Sequence, residues 1–179
     1  VNGEVSQTVS LDMELQRRIR DGDNTAFATL YTRYKQDVYM YCTRFLGRSG
    51  DADDIFQDVF IGFLERVRKG MEIESIPHYL MRSARNRCLN AIRNRKHHRS
   101  LDEYHCHPCH RQDEANEIQE IVQNALQRLS DNIRETFVLR EYAGYSYEEI
   151  ASLTDVSIGT VSKRMYSARK QLRAILLNQ

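Results

Sequence analysis

The stretch Gly144-Tyr145-Ser146-Tyr147-Glu148-Glu149-Ile150-Ala151, followed by Val156-Ser157-Ile158-Gly159-Thr160-Val161, decides how this chain is read. Ser146 with Glu149 three residues later forms a capping box: the hydroxyl accepts from the Glu149 amide and the carboxylate accepts from the Ser146 amide. A short helix therefore begins at Tyr147 and buries Ile150, Ala151 and Leu153. A tight turn is expected at Thr154 to Val156, and Ser157 can cap a second helix. That is helix-turn-helix spacing. In the second helix Val161, Met165, Ala168 and Leu172 recur at helical steps and point inward. Ser157 at its start, with Thr160, Ser162, Lys163, Arg164, Ser167 and Lys170, is left to other faces. Lysine and arginine suit phosphates or guanine, and serine and threonine donate and accept at base edges, so these side chains suit a major groove. An ordinary helical hairpin with a solvated basic face would explain the charge but not its coincidence with the box and the turn.

Outward from this motif the pattern stays helical. Ile118, Ile121, Val122, Ala125 and Leu129 precede it at helical steps, then Ile133, Phe137 and Tyr142, with Gly144 as the stop. At the other end Leu11, Leu15 and Ile19 mark a short helix. Phe27, Leu30, Tyr31, Tyr34, Val38, Tyr41, Cys42 and Phe45 mark a longer one, which Asn24 can cap and Gly47 can end. Ala52, Ile55, Val59, Phe63 and Val67 form the next stripe, and Pro77 opens a helix with Leu80, Ala84, Cys88 and Ala91 or Ile92 inward. From His97 to Glu114 the apolar period disappears. No strand pattern competes. The expected fold is all-α: two small helical bundles, residues 1–96 and 115–179, joined by a flexible linker at 97–114, with the helix-turn-helix in the C-terminal bundle.

Composition bounds the function classes. The 41% hydrophobic content of the 179 residues supports packed cores, and no apolar run approaches the roughly 18 residues of a membrane helix. Val1 to Ser10 is polar and lacks a secretory apolar stretch, so a cytoplasmic location without membrane insertion is expected. The formal charge of +1 offers no global attraction to phosphate, yet its distribution does. From His78 to Ser100 the chain carries Arg82, Arg85, Arg87, Arg93, Arg95, Lys96 and Arg99 without an acid. From Val156 onward Lys163, Arg164, Arg169, Lys170 and Arg173 stand likewise alone, while acid gathers at Asp51 to Asp58 and at Asp102 to Glu120. Such segregation points to separate surfaces for an anionic and a cationic partner. No nucleophile with a base, carboxylate pair or Gly-rich phosphate loop stands out, so enzymatic function is not expected.

The stretch Leu129 to Arg173 resembles the C-terminal domain of extracytoplasmic-function sigma factors. The matching residues are Leu129-Ser130, Arg134-Glu135, Phe137-Val138-Leu139-Arg140, Ser146 to Ala151, Gly159-Thr160-Val161 and Ser167 to Arg173. The resemblance implies reading of the minus-thirty-five promoter element by Ser157, Thr160, Ser162, Lys163, Arg164, Ser167 and Lys170. Asp51-Ala52-Asp53-Asp54-Ile55-Phe56-Gln57-Asp58-Val59-Phe60 resembles the family helix that docks on the clamp helices of the largest RNA polymerase subunit. That implies polymerase contacts from Asp51, Asp54, Gln57 and Asp58. Acids at a helix start are also favoured by the macrodipole, a reading that fits Asp51 to Asp54 but not Gln57 and Asp58. The basic helix Pro77 to Lys96 resembles the minus-ten-reading segment through Tyr79-Leu80, Ala84-Arg85-Asn86 and Arg93. By that resemblance Arg82, Arg85, Asn86, Asn90 and Arg93 would meet the minus-ten DNA, and the loop Gly70 to Ile76 would capture an unstacked base. Tyr79 stands where tryptophan is usual and Asn90 where aspartate is usual.

The resemblance implies a subunit that directs core polymerase to promoters and assists their opening, in a stress or envelope response, held by an anti-sigma factor and needing no cofactor. Two alternatives stay open: a free-standing helix-turn-helix regulator, and a metal- or redox-responsive regulator sensing through the linker. The linker's His105-Cys106-His107-Pro108-Cys109-His110 gives Cys106 and Cys109 the two-residue gap of a zinc knuckle or redox pair. Zinc held by His105, Cys106, His107, Cys109 and His110, redox switching, or a plain tether are its three readings. Cys42 and Cys88 read as core thiols.

Overall fold

The computed structural model describes residues 2–47, 50–99 and 114–177, with side chains over 10–47, 50–95 and 117–177. Through them run eight helices and no strand: α1 (Asn2–Arg20), α2 (Asn24–Leu46), α3 (Gly50–Arg68), α4 (Ile76–Arg99), α5 (Glu114–Gln127), α6 (Asp131–Glu141), α7 (Tyr147–Thr154) and α8 (Ile158–Leu177). The His/Cys cluster lies outside the described residues.

In α1, Leu15 and Ile19 are buried as expected, but Leu11 is 43% exposed and Asp12 and Gln16 take inward places. Both polar groups are satisfied, as burial demands. The Asp12 carboxylate accepts from the Tyr34 hydroxyl at 2.5 Å and from Arg33 at 2.8 Å, tying α1 to α2. The cap of α2 is Asp23 rather than Asn24: its Oδ1 accepts from the amides of Thr25 and Ala26, leaving Asn24 as the first helical residue. Gly47, at φ 84°, ends the helix.

Helix α3 buries Ala52, Val59, Phe60, Phe63 and Val67, with Ile55 half-buried. Rings from α2 and α3 interlock: Tyr31 lies 4.9 Å from Phe60 edge-on, and Tyr39 lies 5.4 Å from Phe56. Such edge-to-face pairs add directional packing to apolar burial and fix the turn of α3 from which its acids project. Helix α4 starts at Ile76 with Pro77 in its first turn, buries Leu80, Ala84 and Cys88, and runs to Arg99. It thus continues past His97, where the linker was expected to begin, because the loss of apolar period marks the end of a buried face and not the end of a helix.

In the C-terminal half, Ala125, Leu126 and Leu129 are buried, whereas Ile118 is 69% exposed against expectation. Helix α6 departs most from the sequence reading. Ile133, Phe137 and Tyr142 are half-buried, and the buried residues are Arg134, Glu135, Thr136, Val138 and Leu139. The reason is its position, packed against α7 and α8 on one side and against α2 on the other. A helix with two neighbours hides more than one stripe.

The helices group as α1–α4 and α5–α8, and the two groups are docked together. One core of buried residues runs from Leu15 through Tyr41 and Cys88 to Val138, Ile150 and Val161. A smaller core gathers Ala125, Leu126, Leu129, Ala168 and Leu172.

Candidate nucleic-acid interface

The C-terminal motif folds as its sequence dictates. Ser146 Oγ accepts from the Glu149 amide at 3.1 Å, and the Glu149 carboxylate accepts from the Ser146 amide at 2.7 Å. Asp155 makes the turn in the left-handed region, at φ 56° and ψ 50°, a conformation in which aspartate is among the better tolerated non-glycine residues. Ser157 Oγ then accepts from the Thr160 amide at 3.2 Å, starting α8. Val161, Met165, Ala168 and Leu172 are all buried.

What α8 leaves outside is a stripe of Ser162, Lys163, Tyr166 and Lys170, all exposed, with Ser157 at its head. Tyr166 was not among the expected contacts. At 71% exposure it is a large ring with no packing role, standing between Lys163 and Lys170. Its place on the same helical face as Lys163 and Lys170, three and four residues away, carried the signal. Thr160, Arg164 and Ser167 are half-buried. Arg164 differs from the outward reading of the sequence: it lies close enough to Glu135 for its charge to act on that carboxyl.

On the N-terminal half, Asp51, Asp54, Gln57 and Asp58 are all exposed on α3. Two of these acids pair with the basic helix beside them: Asp58 with Arg87 at 2.8 Å and Asp51 with Arg95 at 2.5 Å. Exposed pairs of this kind contribute about 0–1 kcal/mol, so a partner's cations can replace them at little cost. On α4, Arg82, Asn86, Asn90 and Arg93 are exposed, and Arg93 donates to the Asn90 side chain. The loop between α3 and α4 is held by a residue that sequence reading passed over. Gln16, 3% exposed, donates to the Ile73 carbonyl at 2.8 Å and accepts from the Ile73 amide at 3.0 Å. With Ile73 and Ile76 buried, Met71, Glu72, Glu74 and Ser75 are presented to solvent.

Arg85 stands apart from the other basic residues of α4. Its Nε lies 2.8 Å from Glu135 Oε1 across the joint between the halves; the pair is half-buried on the arginine side and only 1% exposed on the glutamate side. Tyr41 donates to the same Oε1 at 3.3 Å. Burial pushes the Glu135 carboxyl up, and the Arg85 charge and the Arg85 and Tyr41 contacts pull against that. Around this pair the C-terminal half caps α2. Gln123 donates to the Arg44 carbonyl at 3.1 Å, and Gln127 reaches the carbonyls of Arg44 and Phe45 at 3.4 Å. Helix-end carbonyls without intrahelical partners thereby find donors. Arg134 lies over the Phe45 ring and Arg44 over the Tyr142 ring, each at 5.1 Å. Among the described residues no group of three or more His, Cys, Asp or Glu side chains is placed to hold a metal ion.

Comparison with known proteins fits this layout. Sigma-70 region 2 matches residues 30–98 and sigma-70 region 4 matches residues 119–172. The chain is 29% identical over 171 residues to the sigma factor CarQ of Myxococcus xanthus, covering 89% of this chain and 94% of CarQ. It is 28% identical over 176 residues to the ECF sigma-E factor of Escherichia coli K12, covering 90% and 92%. Among solved structures, CnrH in complex with the cytosolic domain of CnrY shares the fold at TM-score 0.72 and 22% identity, over 94% of this chain and 99% of that one. The sigma factor RpoE of Bartonella quintana, in complex with the anti-sigma factor NepR, does so at TM-score 0.67 and 22% identity, over 84% and 96%. With both conserved regions matched and relatives aligned along nearly their whole length, the chain belongs to the sigma-70 family, as an extracytoplasmic-function sigma factor of transcription initiation.

Proposed function

We propose that the docked arrangement is the resting form of this sigma factor and that it works by opening. The observation that carries this reading is the burial of Glu135 against Arg85 and Tyr41, which engages a basic residue of α4 with the C-terminal half. Distance supports it. Minus-ten and minus-thirty-five elements lie about 25 base pairs apart, roughly 85 Å at 3.4 Å per base pair. A compact chain of this length has a radius of gyration of only about 16 Å. The stretch between Arg99 and Glu114 can reach about 50 Å when extended, enough for the halves to separate along the promoter.

In the open form Asp51, Asp54, Gln57 and Asp58 exchange their exposed pairs for arginines on the clamp helices of core polymerase. Arg82, Arg85, Asn86, Asn90 and Arg93 follow the minus-ten DNA, and the loop pinned by Gln16 offers its exposed rim to an unstacked base. The α8 stripe enters the minus-thirty-five major groove, with Lys163 and Tyr166 at base edges and Lys170 nearer the phosphates. The domains are residues 1–96 and 115–179, with 97–114 between them. The chain performs no catalysis, which belongs to the polymerase, and needs no cofactor for this role. It acts in the cytoplasm, in a stress or envelope response, and an anti-sigma factor stabilises the closed form; the complex of the Bartonella quintana relative with NepR supports that partner.

A transcription assay with purified core polymerase tests the reading. Promoter-dependent initiation by this chain is expected. Binding to duplex promoter DNA without core, and no initiation with it, would favour a free-standing regulator.

A further inference from the structure

Two sulfurs face each other beneath the joint. The Cys88 thiol donates to Cys42 Sγ at 3.9 Å from α4 to α2, and both residues are fully buried with no disulfide between them. A buried cysteine is commonly a small apolar filler. This pair differs in its neighbours. Tyr41, adjacent to Cys42, donates to Glu135, and Arg85, three residues before Cys88, is the ion-pair partner of the same carboxylate. The Glu135 charge is also felt at the Cys88 thiol. The dithiol therefore lies beside the α2 and α4 residues, Tyr41 and Arg85, that hold Glu135 at the contact between the halves.

We propose that Cys42 and Cys88 are a peroxide-oxidisable dithiol, shielded while the halves are docked and converted to a disulfide between α2 and α4 when the C-terminal half lifts away. In the docked form neither sulfur meets solvent. The hydrogen bond to Cys42, burial and the nearby Glu135 charge all push the Cys88 thiol up, away from the reactive thiolate. Opening removes Glu135 and admits water and peroxide. Cys42, whose sulfur accepts the hydrogen bond from Cys88, is assigned the first reaction. Its thiolate attacks one oxygen of hydrogen peroxide, the O–O bond breaks, and the products are a sulfenic acid and, after proton transfer, water. The Cys88 thiolate then attacks the Cys42 sulfur and displaces the second oxygen as water. Two S–H groups are oxidised to one S–S bond while one peroxide is reduced to two waters. The sulfurs need to close from 3.9 Å to about 2.05 Å, a movement that side-chain rotation and a shift of α4 toward α2 must supply.

The test uses the full chain carrying Cys106→Ser and Cys109→Ser, which removes the linker thiols. The reduced protein is treated with hydrogen peroxide, free thiols are trapped by alkylation at intervals, and the Cys42–Cys88 linked peptide is followed by mass spectrometry. It is compared with the same protein bearing Glu135→Ala, and separately Gln123→Ala with Gln127→Ala, which loosens the joint at its rim without touching the dithiol's surroundings. Circular dichroism verifies that each remains helical, and the rim variant carries the test if the Glu135 variant does not fold. The linked peptide is expected about tenfold faster or more in the loosened variants, the factor that a loss of 1.4 kcal/mol in docking gives. If both cysteines stay alkylatable in the loosened variants, they are core filler and the site does not exist. Linkage at the same rate in parent and variants would overturn the shielding.

Discussion

The chain holds its charges in two contrasting settings. Along α3 and α4, Asp51–Arg95 and Asp58–Arg87 are pairs whose members are each between 38% and 56% exposed. At the joint between the halves, Arg85 meets a carboxylate that is 1% exposed. The separations are alike, and the consequences are not. Exposed ions keep most of their hydration whether paired or not, so the pair stores little energy and is free to exchange. A buried carboxylate has given up its water and depends on its partner. The first setting suits a surface that changes partners, and the second suits a contact that has two states.

The largest expected effect is therefore at the joint. Arg85→Ala strands Glu135 and should destabilise the docked form by about 3 kcal/mol, read as earlier loss of compactness in denaturant by small-angle scattering. Glu135→Ala should cost less, because the half-buried Arg85 it leaves behind can rehydrate. The double variant should fall well short of the sum of the two, as expected for groups that act on each other. Additive effects would show that the two groups do not act as a pair.

The exposed setting should behave in the opposite way. Asp54→Lys with Asp58→Lys should leave thermal stability within about 0.5 kcal/mol and weaken association with core polymerase about a hundredfold, equivalent to roughly 2.7 kcal/mol. Titration of fluorescently labelled protein with core measures it. Unchanged affinity would remove α3 from the docking surface.

On α8 the same contrast separates Arg164 from its neighbours. Lys163→Ala and Tyr166→Ala should relax discrimination among single-base minus-thirty-five variants by about 1–3 kcal/mol. Lys170→Ala should weaken all of them alike and lower the salt slope by about one unit. Arg164, half-buried on the side of Glu135, should shift activity equally on every variant. If Arg164→Ala alone changed promoter choice, the helix would sit in the groove rotated toward the side that the docked form hides.

Much of this was legible in the sequence because it is local. The capping box at Ser146, the inward run Val161, Met165, Ala168 and Leu172, and the exposed acids of α3 follow from spacing within one or two turns. What was not legible depends on distant neighbours. Leu11 and Ile118 keep the apolar period yet face solvent, and Asp12 and Gln16 break it yet are buried, because Tyr34, Arg33 and Ile73 meet them from elsewhere in the chain. Arg134 and Glu135 matched the family pattern, but their burial under the other half leaves no trace in the period of α6. The exchange of Asn24 for Asp23 as the cap of α2 is a one-residue choice between adjacent capping types, which only the hydrogen bonds decide.

The smallest expected effect is a pH dependence of docking, and its sign follows from Glu135. Burial raises the pKa of this carboxyl in the docked form above the ordinary value of 4.5, despite Arg85 and Tyr41. The docked form therefore binds a proton at Glu135 more tightly than the open form, in which the side chain is hydrated. Linkage then requires docking to strengthen as pH falls through the raised value and to gain nothing further from this group below about 4.5. As pH rises through the same window the gain is lost, and above it Glu135 contributes no slope. One group can change the docking equilibrium by at most about tenfold per pH unit, and only inside that window. The distance between fluorophores placed on exposed sites of α1 and α8 measures the docked fraction across the mildly acidic range. Glu135→Gln keeps the Tyr41 hydrogen bond and cannot titrate, so it should remove this component of the slope while the contributions of the exposed acids persist. Identical slopes in the parent and Glu135→Gln would mean that the carboxyl is as well hydrated in the docked form as in the open one, and the contrast between the two charge settings would fail at its central residue.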